Sequence, residues 1–171
     1  MKGKSGFIIL FILTLWLFLF TGWGLAQNDW YYFAYGSNMN HEQMLKIRCP
    51  GSEFEKPVFL EGYRFVYDGY SYLREGAVAN VIPSSGDQVW GGLYKVSLSH
   101  LLALDRYEGH PHSYQRVLVK VSDPQGNSQE VFTYMRKEKE IGLPHPDYQA
   151  LVLSGAQDCH LPQDYIKSYL Q

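Results

Sequence analysis

The stretch Tyr31-Tyr32-Phe33-Ala34-Tyr35-Gly36-Ser37-Asn38 constrains the fold more than any other part of this chain. Tyr31, Tyr32 and Phe33 are aromatic residues that pack well on a half-buried pleated surface, so the run begins as a strand. It breaks at Gly36-Ser37-Asn38. A helix start follows, with Asn40 at the N-cap position and Gln43 three residues on, the spacing of a capping box. Strand, tight glycine turn and helix N-terminus in succession leave backbone N–H groups unpaired and aimed at whatever sits in the turn. Carboxylates and developing oxyanions bind at such places. A purely structural turn has the same appearance, because Gly and Asn tolerate positive φ. The single glycine is also far weaker than a glycine-rich phosphate fingerprint. On the local pattern both readings stand.

The rest of the chain is one globular domain preceded by an export segment. Its 171 residues, 46% of them hydrophobic, are enough to bury a core. Fourteen tyrosines bring packing area plus hydroxyls that need partners, which suits either a pocket lining or a β-rich core. The formal net charge is -2 and no Lys/Arg run occurs, which argues against a nucleic-acid partner. Residues 1–26 read as a signal peptide cut after Ala26: Lys2 and Lys4 are basic, Phe7 to Phe20 is apolar apart from Thr14, and Gly24-Leu25-Ala26 supplies small residues. The alternative is an uncleaved signal anchor, since the apolar run approaches the ~20 residues that span a bilayer. The expected products are an exported domain over 27–171, or a membrane-anchored one held only by that segment. Cys49 and Cys159 are the two cysteines. In an exported chain they could pair, but their separation does not establish it, and they form no metal-ligand spacing.

Further along, a helix is expected over Asn40–Ile47, ended by Cys49-Pro50-Gly51. Val58–Tyr67 reads as a strand with imperfect alternation: Val58, Leu60, Arg64 and Val66 on one face, Phe59, Glu61, Tyr63, Phe65 and Tyr67 on the other. Asp68–Gly76 reads as a loop, Ala77–Ile82 as a strand stopped by Pro83-Ser84-Ser85-Gly86-Asp87, and Val89–Val96 as a strand. Gly91-Gly92 within it implies a bulge, a bend or a close backbone approach. Ser97 or Ser99 can cap a helix carrying Leu98, Leu101 and Leu102 and ending at Glu108-Gly109. Tyr114–Val121 and Gln129–Tyr134 form a hairpin around Asp123-Pro124-Gln125-Gly126-Asn127. Asp147–Leu153 is helical with Gly155 as its stop, and a last helix runs from Pro162 to Leu170. Short strands with inserted helices give an α+β class, built as a small barrel or strongly curved sheet.

A second candidate site is Leu104-Asp105-Arg106-Tyr107-Glu108-Gly109. A carboxylate at a helix end beside an aromatic, if buried, has a raised pKa and is a better base. Solvated charges at a helix terminus are the plainer alternative. His110, His112, His145 and His160 have no carboxylate or cysteine at a familiar ligand spacing, so no metal is expected. A Gly-x-Ser-x-Gly elbow is absent and neither cysteine is placed with a histidine, which argues against a serine or cysteine hydrolase.

Five stretches in order resemble the gamma-glutamylcyclotransferase family, close to its single-domain animal members. They are Tyr32-Phe33-Ala34-Tyr35-Gly36-Ser37-Asn38, Gly86-Asp87-Gln88-Val89-Trp90-Gly91, Leu104-Asp105-Arg106-Tyr107-Glu108-Gly109, Tyr134 with Tyr148 and Gly155-Ala156, and Leu161-Pro162-x-x-Tyr165. The resemblance spans about Tyr31 to Tyr169. It implies a small mixed or antiparallel β-barrel with flanking short helices. It implies a substrate loop of Tyr32, Phe33, Ala34, Tyr35, Gly36 and Ser37, an acid/base residue Glu108, and pocket residues Tyr134 and Tyr148. Two features depart from the family pattern, the export segment and His110-Pro111-His112-Ser113.

The reaction this resemblance implies is closure of a γ-glutamyl compound to 5-oxoproline with release of an amine. It needs no metal or cofactor, and it places the chain in glutathione metabolism. The partner is then a small γ-glutamyl substrate; the oligomeric state, including a homodimer, stays open. Two alternatives accompany it: a γ-glutamylamine cyclotransferase acting on ε-(γ-glutamyl)lysine-type donors, and an exported binding module without turnover. Tyr70, Tyr72 and the histidines after Glu108 are candidates to line the leaving-group side.

Overall fold

The computed structural model describes residues 29–170. The expected export segment, residues 1–26, lies outside them. Five strands close into a barrel: β1 (Trp30–Ala34), β2 (Glu53–Ser71), β3 (Gly76–Val96), β4 (Gln115–Ser122) and β5 (Ser128–Met135), in the order β1-β3-β2-β4-β5. Four seams are antiparallel, and β5 returns to β1 in parallel through Tyr32 opposite Phe132. Side chains reinforce that narrow parallel seam. Thr133 Oγ1 donates to the Phe33 carbonyl at 2.9 Å, and the Tyr35 hydroxyl donates to the Tyr134 carbonyl at 2.5 Å. Two α-helices flank the barrel, α1 (Leu98–Glu108) and α2 (Pro146–Asp158), with a short terminal helix Gln163–Tyr165 that continues as π-helix Ile166–Leu170. The α+β class and the mixed barrel therefore stand as expected.

The strands are longer than the sequence pattern implied. β2 and β3 form one twisted hairpin that absorbs the segments expected as loops at Asp68–Ser71 and Pro83–Asp87. A register shift between Glu61 and Tyr63 resets the in–out alternation of β2. Val58 and Leu60 face the core before it, whereas Phe65 and Val66 are both buried after it and Arg64 is exposed. Gly91-Gly92 marks a close approach: a methyl on Gly91 would lie 2.2 Å from the Ala34 carbonyl oxygen.

Helix α1 starts at Ser97, whose side chain accepts from the His100 backbone N–H at 3.2 Å while His100 Nδ1 accepts from the Ser97 N–H. Leu101 and Leu104 anchor it in the core, and Leu98 and Leu102 face solvent. Gly109, with φ of 65°, stops the helix so that Glu108 is its last residue. The helix expected over Asn40–Ile47 is a π-helical segment Glu42–Arg48, entered from a single 3₁₀ turn Ser37–Met39.

Gly155 does not end its helix. Helix α2 runs on to Asp158, and Gly155 is the place where it touches the 3₁₀ turn. A Cβ there would lie 2.3 Å from Asn40 N and 2.6 Å from Met39 C. Around that contact Asn40 Nδ2 donates to Ser154 Oγ at 3.2 Å, and the His41 N–H donates to Asp158 Oδ2 at 2.9 Å. From below, the Tyr94 hydroxyl donates to the Met39 carbonyl at 3.0 Å. The turn is thus clamped between β3 and α2. Cys49 and Cys159 are free and buried, and burial pushes both thiols up to about 12.

In an exposed helix, Gly→Ala stabilises by about 0.5–1 kcal/mol. Gly155→Ala is expected to do the opposite, lowering stability by about 1–3 kcal/mol through overpacking against backbone that cannot yield. Thermal melts of the two proteins check this, and an unchanged or raised Tm would contradict the clamp.

Candidate active site

Glu108 sits where α1 ends, at a cleft between the 3₁₀ turn, β1, β3, β5 and α2, with Tyr114 closing it just before β4. The cleft is narrow, with a cavity of about 40 Å³, and is lined by Tyr32, Tyr35, Gly36, Ser37, Asn38, Ala79, Glu108, Tyr114, Tyr134 and Tyr148. Among these Glu108 is the sole carboxylate, and 17% of its side-chain surface is exposed. Two donors hold the same oxygen: Arg48 Nη1 and Asn38 Nδ2 each lie 2.9 Å from Oε1. No other described residue bonds Oε2, which leaves that oxygen to exchange a proton. Burial raises the Glu108 carboxyl above its ordinary value, opposed by the Arg48 charge and the Asn38 bond.

Asn38 joins the site together. Its Nδ2 also donates to the Tyr32 hydroxyl at 2.8 Å, and its Oδ1 accepts from Arg48 Nη1 at 2.6 Å and from Gln43 Nε2 at 3.2 Å. Gln43 Nε2 donates to Ser37 Oγ as well, at 3.1 Å. The capping expectation is half met: the Gln43 N–H donates to Asn40 Oδ1 at 2.9 Å, but the Gln43 side chain serves the turn rather than reaching back to the Asn40 N–H.

Gly36 has φ of -116°, so positive φ is not why glycine is there. Space is the reason, since a Cβ would lie 2.9 Å from the Ala79 Cβ across the cleft. Among the described residues the N–H groups of Gly36, Ser37 and Asn38 have no hydrogen-bond acceptor. Ser37 and Asn38 are buried. Successive buried N–H groups without acceptors form a concavity that favours an anion.

The tyrosines are fixed by their hydroxyls. Tyr134 donates to Asp105 Oδ1 at 2.8 Å, and Asp105 is in turn paired with Arg116 at 3.0 Å. Tyr114 donates to the Ala79 carbonyl at 2.7 Å, and the Ala79 N–H donates to the Tyr148 oxygen at 3.2 Å. Burial raises the pKa of Tyr32, Tyr35, Tyr114, Tyr134 and Tyr148, so all five stay neutral near pH 7.

Of the residues singled out from sequence, Tyr32, Tyr35, Gly36, Ser37, Glu108, Tyr134 and Tyr148 meet in this one cleft. Phe33 and Ala34 do not: both are fully buried in the barrel core, on the strand that carries the turn. Asn38, Arg48, Ala79 and Tyr114 escaped the sequence reading. Asn38 had a signal, as the residue after the turn. Arg48 had none, because its contact with Glu108 crosses 60 positions. Tyr70 lines the outer part of the cleft, whereas Tyr72 is 91% exposed. His110 packs on Tyr134 behind the wall, and His112 lies in a separate groove.

A profile of the AIG2-like family matches residues 88–169. Mouse (Mus musculus) gamma-glutamylcyclotransferase is 30% identical over 147 residues, which cover 83% of this chain and 78% of that protein. Zebrafish (Danio rerio) gamma-glutamylaminecyclotransferase A is 30% identical over 100 residues, covering 57% of this chain and 56% of its own. A solved gamma-glutamyl cyclotransferase superposes with a TM-score of 0.77 at 29% identity, over 83% of this chain and 88% of that one. The barrel and a similarity that covers 83% of the chain agree, and the chain belongs to the gamma-glutamylcyclotransferase family.

Proposed function

We propose that this chain converts γ-glutamyl amino acids to 5-oxoproline and the free amino acid. The observation that carries the reading is one largely buried carboxylate, Glu108, in the same narrow tyrosine-lined cleft as the turn Gly36-Ser37-Asn38, whose backbone N–H groups have no acceptor among the described residues. That pairing supplies what intramolecular aminolysis needs. The substrate α-amine attacks its own γ-carbonyl carbon, the C–N bond to the attached amino acid breaks, and a five-membered lactam forms. No outside nucleophile is consumed. A cleft that holds the glutamyl chain folded draws on effective molarities of roughly 10⁵ M or more.

The α-amine arrives as an ammonium, and Glu108 Oε2 takes its proton. That transfer runs uphill, because the α-amine beside its free α-carboxylate holds a proton far more tightly than an ordinary Glu, which titrates near ~4.3. Each pKa unit by which burial raises Glu108 recovers about 1.4 kcal/mol of the difference. The same oxygen then returns the proton to the leaving nitrogen. The N–H groups of Gly36, Ser37 and Asn38 receive the developing oxyanion or the α-carboxylate; a lost oxyanion donor typically costs about 3 kcal/mol. Neutral tyrosines orient the chain without competing for the proton. The chemistry uses no metal or cofactor.

The zebrafish relative favours a second reading, in which the donor is a γ-glutamylamine. We rank it second because the match to the mouse gamma-glutamylcyclotransferase is longer, 147 residues against 100. The basic and apolar N-terminal pattern supports action outside the cytosol, with glutathione-derived γ-glutamyl dipeptides as candidate donors.

The purified protein is expected to release 5-oxoproline from γ-glutamyl-alanine, followed by mass spectrometry. Glu108→Gln is expected to lower kcat by about 10² or more with little change in binding; an unchanged kcat would make Glu108 a structural charge.

Activity requires Glu108 ionised, so kcat/KM falls as pH drops through its pKa, and that limb lies above the reference value of 4.5. Arg48→Met removes a cation that favours the ionised form, so the limb moves to higher pH in a pH–rate profile. A limb that stays in place would detach Arg48 from the titration.

A further inference from the structure

Outside Glu108 the cleft widens into a vestibule of about 350 Å³, and its lining is strongly cationic. Arg48, Arg74, Arg106 and Arg136 line it, and Glu108 is the sole carboxylate among the lining residues. Two of these charges are already matched. Arg48 pairs with Glu108 at 2.9 Å, and Arg136 binds the buried Asp68 carboxylate, its Nε lying 2.9 Å from Oδ1. Arg74 and Arg106 have no ion-pair partner among the described residues. Arg74 is half-buried, positioned over the Tyr148 ring at 5.3 Å and by a bond from Nη2 to Gln43 Oε1 at 3.2 Å. Its sequence neighbour Glu75 is turned toward His145, 4.0 Å away. Arg106 lies on the exposed face of α1, two residues before Glu108.

The vestibule therefore carries two positive charges in excess, on the outer side of Glu108. Resting on the cyclotransferase reading, we propose that Arg74 and Arg106 select γ-glutamyl donors whose leaving amine carries two carboxylates, as in γ-glutamyl-glutamate and γ-glutamyl-aspartate. Guanidinium groups bind carboxylates through paired N–H donors, and Arg74 is pre-positioned for this by its stacking and its bond to Gln43. A neutral amino acid offers one carboxylate to the two arginines. A lysine leaving through its ε-nitrogen carries an α-ammonium beside its one α-carboxylate, so it brings no net negative charge to the vestibule. Bond making and breaking are those of the parent reaction; the arginines act on binding and release of the acidic fragment.

The test compares γ-glutamyl-glutamate with γ-glutamyl-alanine and ε-(γ-glutamyl)lysine on the wild-type protein, with 5-oxoproline as readout. The acidic donor is expected to show kcat/KM at least about tenfold above the alanine donor, an advantage that shrinks as salt screens the vestibule. In the Arg74→Gln, Arg106→Gln double variant the ratio of the two values is expected to fall toward one. Equal kcat/KM for the two donors on the wild-type protein overturns the inference and leaves the cyclotransferase reading intact. A preference that survives the double variant overturns the assignment to these arginines. Absence of 5-oxoproline from every donor withdraws the reaction instead. The charge preference is then read by calorimetric titration of the same dipeptides into the wild-type protein: tighter binding of γ-glutamyl-glutamate supports it, and equal affinity overturns it.

Discussion

A carboxylate taken out of water must be compensated, and the way Glu108 is compensated organises this molecule. Arg48 and Asn38 both bind Oε1, and they reach it from the two ends of the segment between β1 and β2. Asn38 has to sit in the 3₁₀ turn, Arg48 in the last turn of the π-helix, and Glu108 at the stop of α1. Three elements are thereby held to one atom. Burial works against ionisation and Arg48 works for it, so the carboxyl stays a base whose affinity for protons exceeds that of an exposed glutamate. Full neutralisation by several cations would remove that property, and no compensation would leave an uncharged acid.

The opposite wall depends on close packing rather than charge. Gly155 lets α2 lie directly on the backbone of Met39 and Asn40, and Gly36 lets the turn approach Ala79. These approaches bring the unbonded N–H groups of the turn to the cleft. Tyrosine hydroxyls bonded to backbone, to Asp105 and to Asn38 fix the remaining walls. The polar groups are thus arranged before any substrate enters, which is the condition for electrostatic stabilisation without reorganisation.

Much of this arrangement can be read from the chain alone, for physical reasons that differ by residue. The aromatic strand broken at Gly36 and the Asn40 cap are local patterns, and both are present in the fold. The end of α1 at Glu108 is legible because Gly109 adopts the left-handed conformation that a helix stop favours. Gly155 is misread from sequence because a glycine near a helix end looks like a stop, whereas its cause here is a tertiary contact. The lengths of β2 and β3 are hidden by bulges that break the two-residue period. Arg48 and Tyr114 have no local signature, since their roles depend on chain closure over long separations. Tyr134 and Tyr148 could be named through family resemblance but not through periodicity.

The central claim is that the γ-carbonyl is attacked from within the substrate and not by water. Turnover of γ-glutamyl-alanine in ¹⁸O-labelled water tests this directly, with both possible products analysed by mass spectrometry. Intramolecular closure predicts 5-oxoproline that carries no label, because its ring carbonyl oxygen comes from the substrate. Free glutamate carrying one ¹⁸O would contradict the account and make the cleft a hydrolytic one.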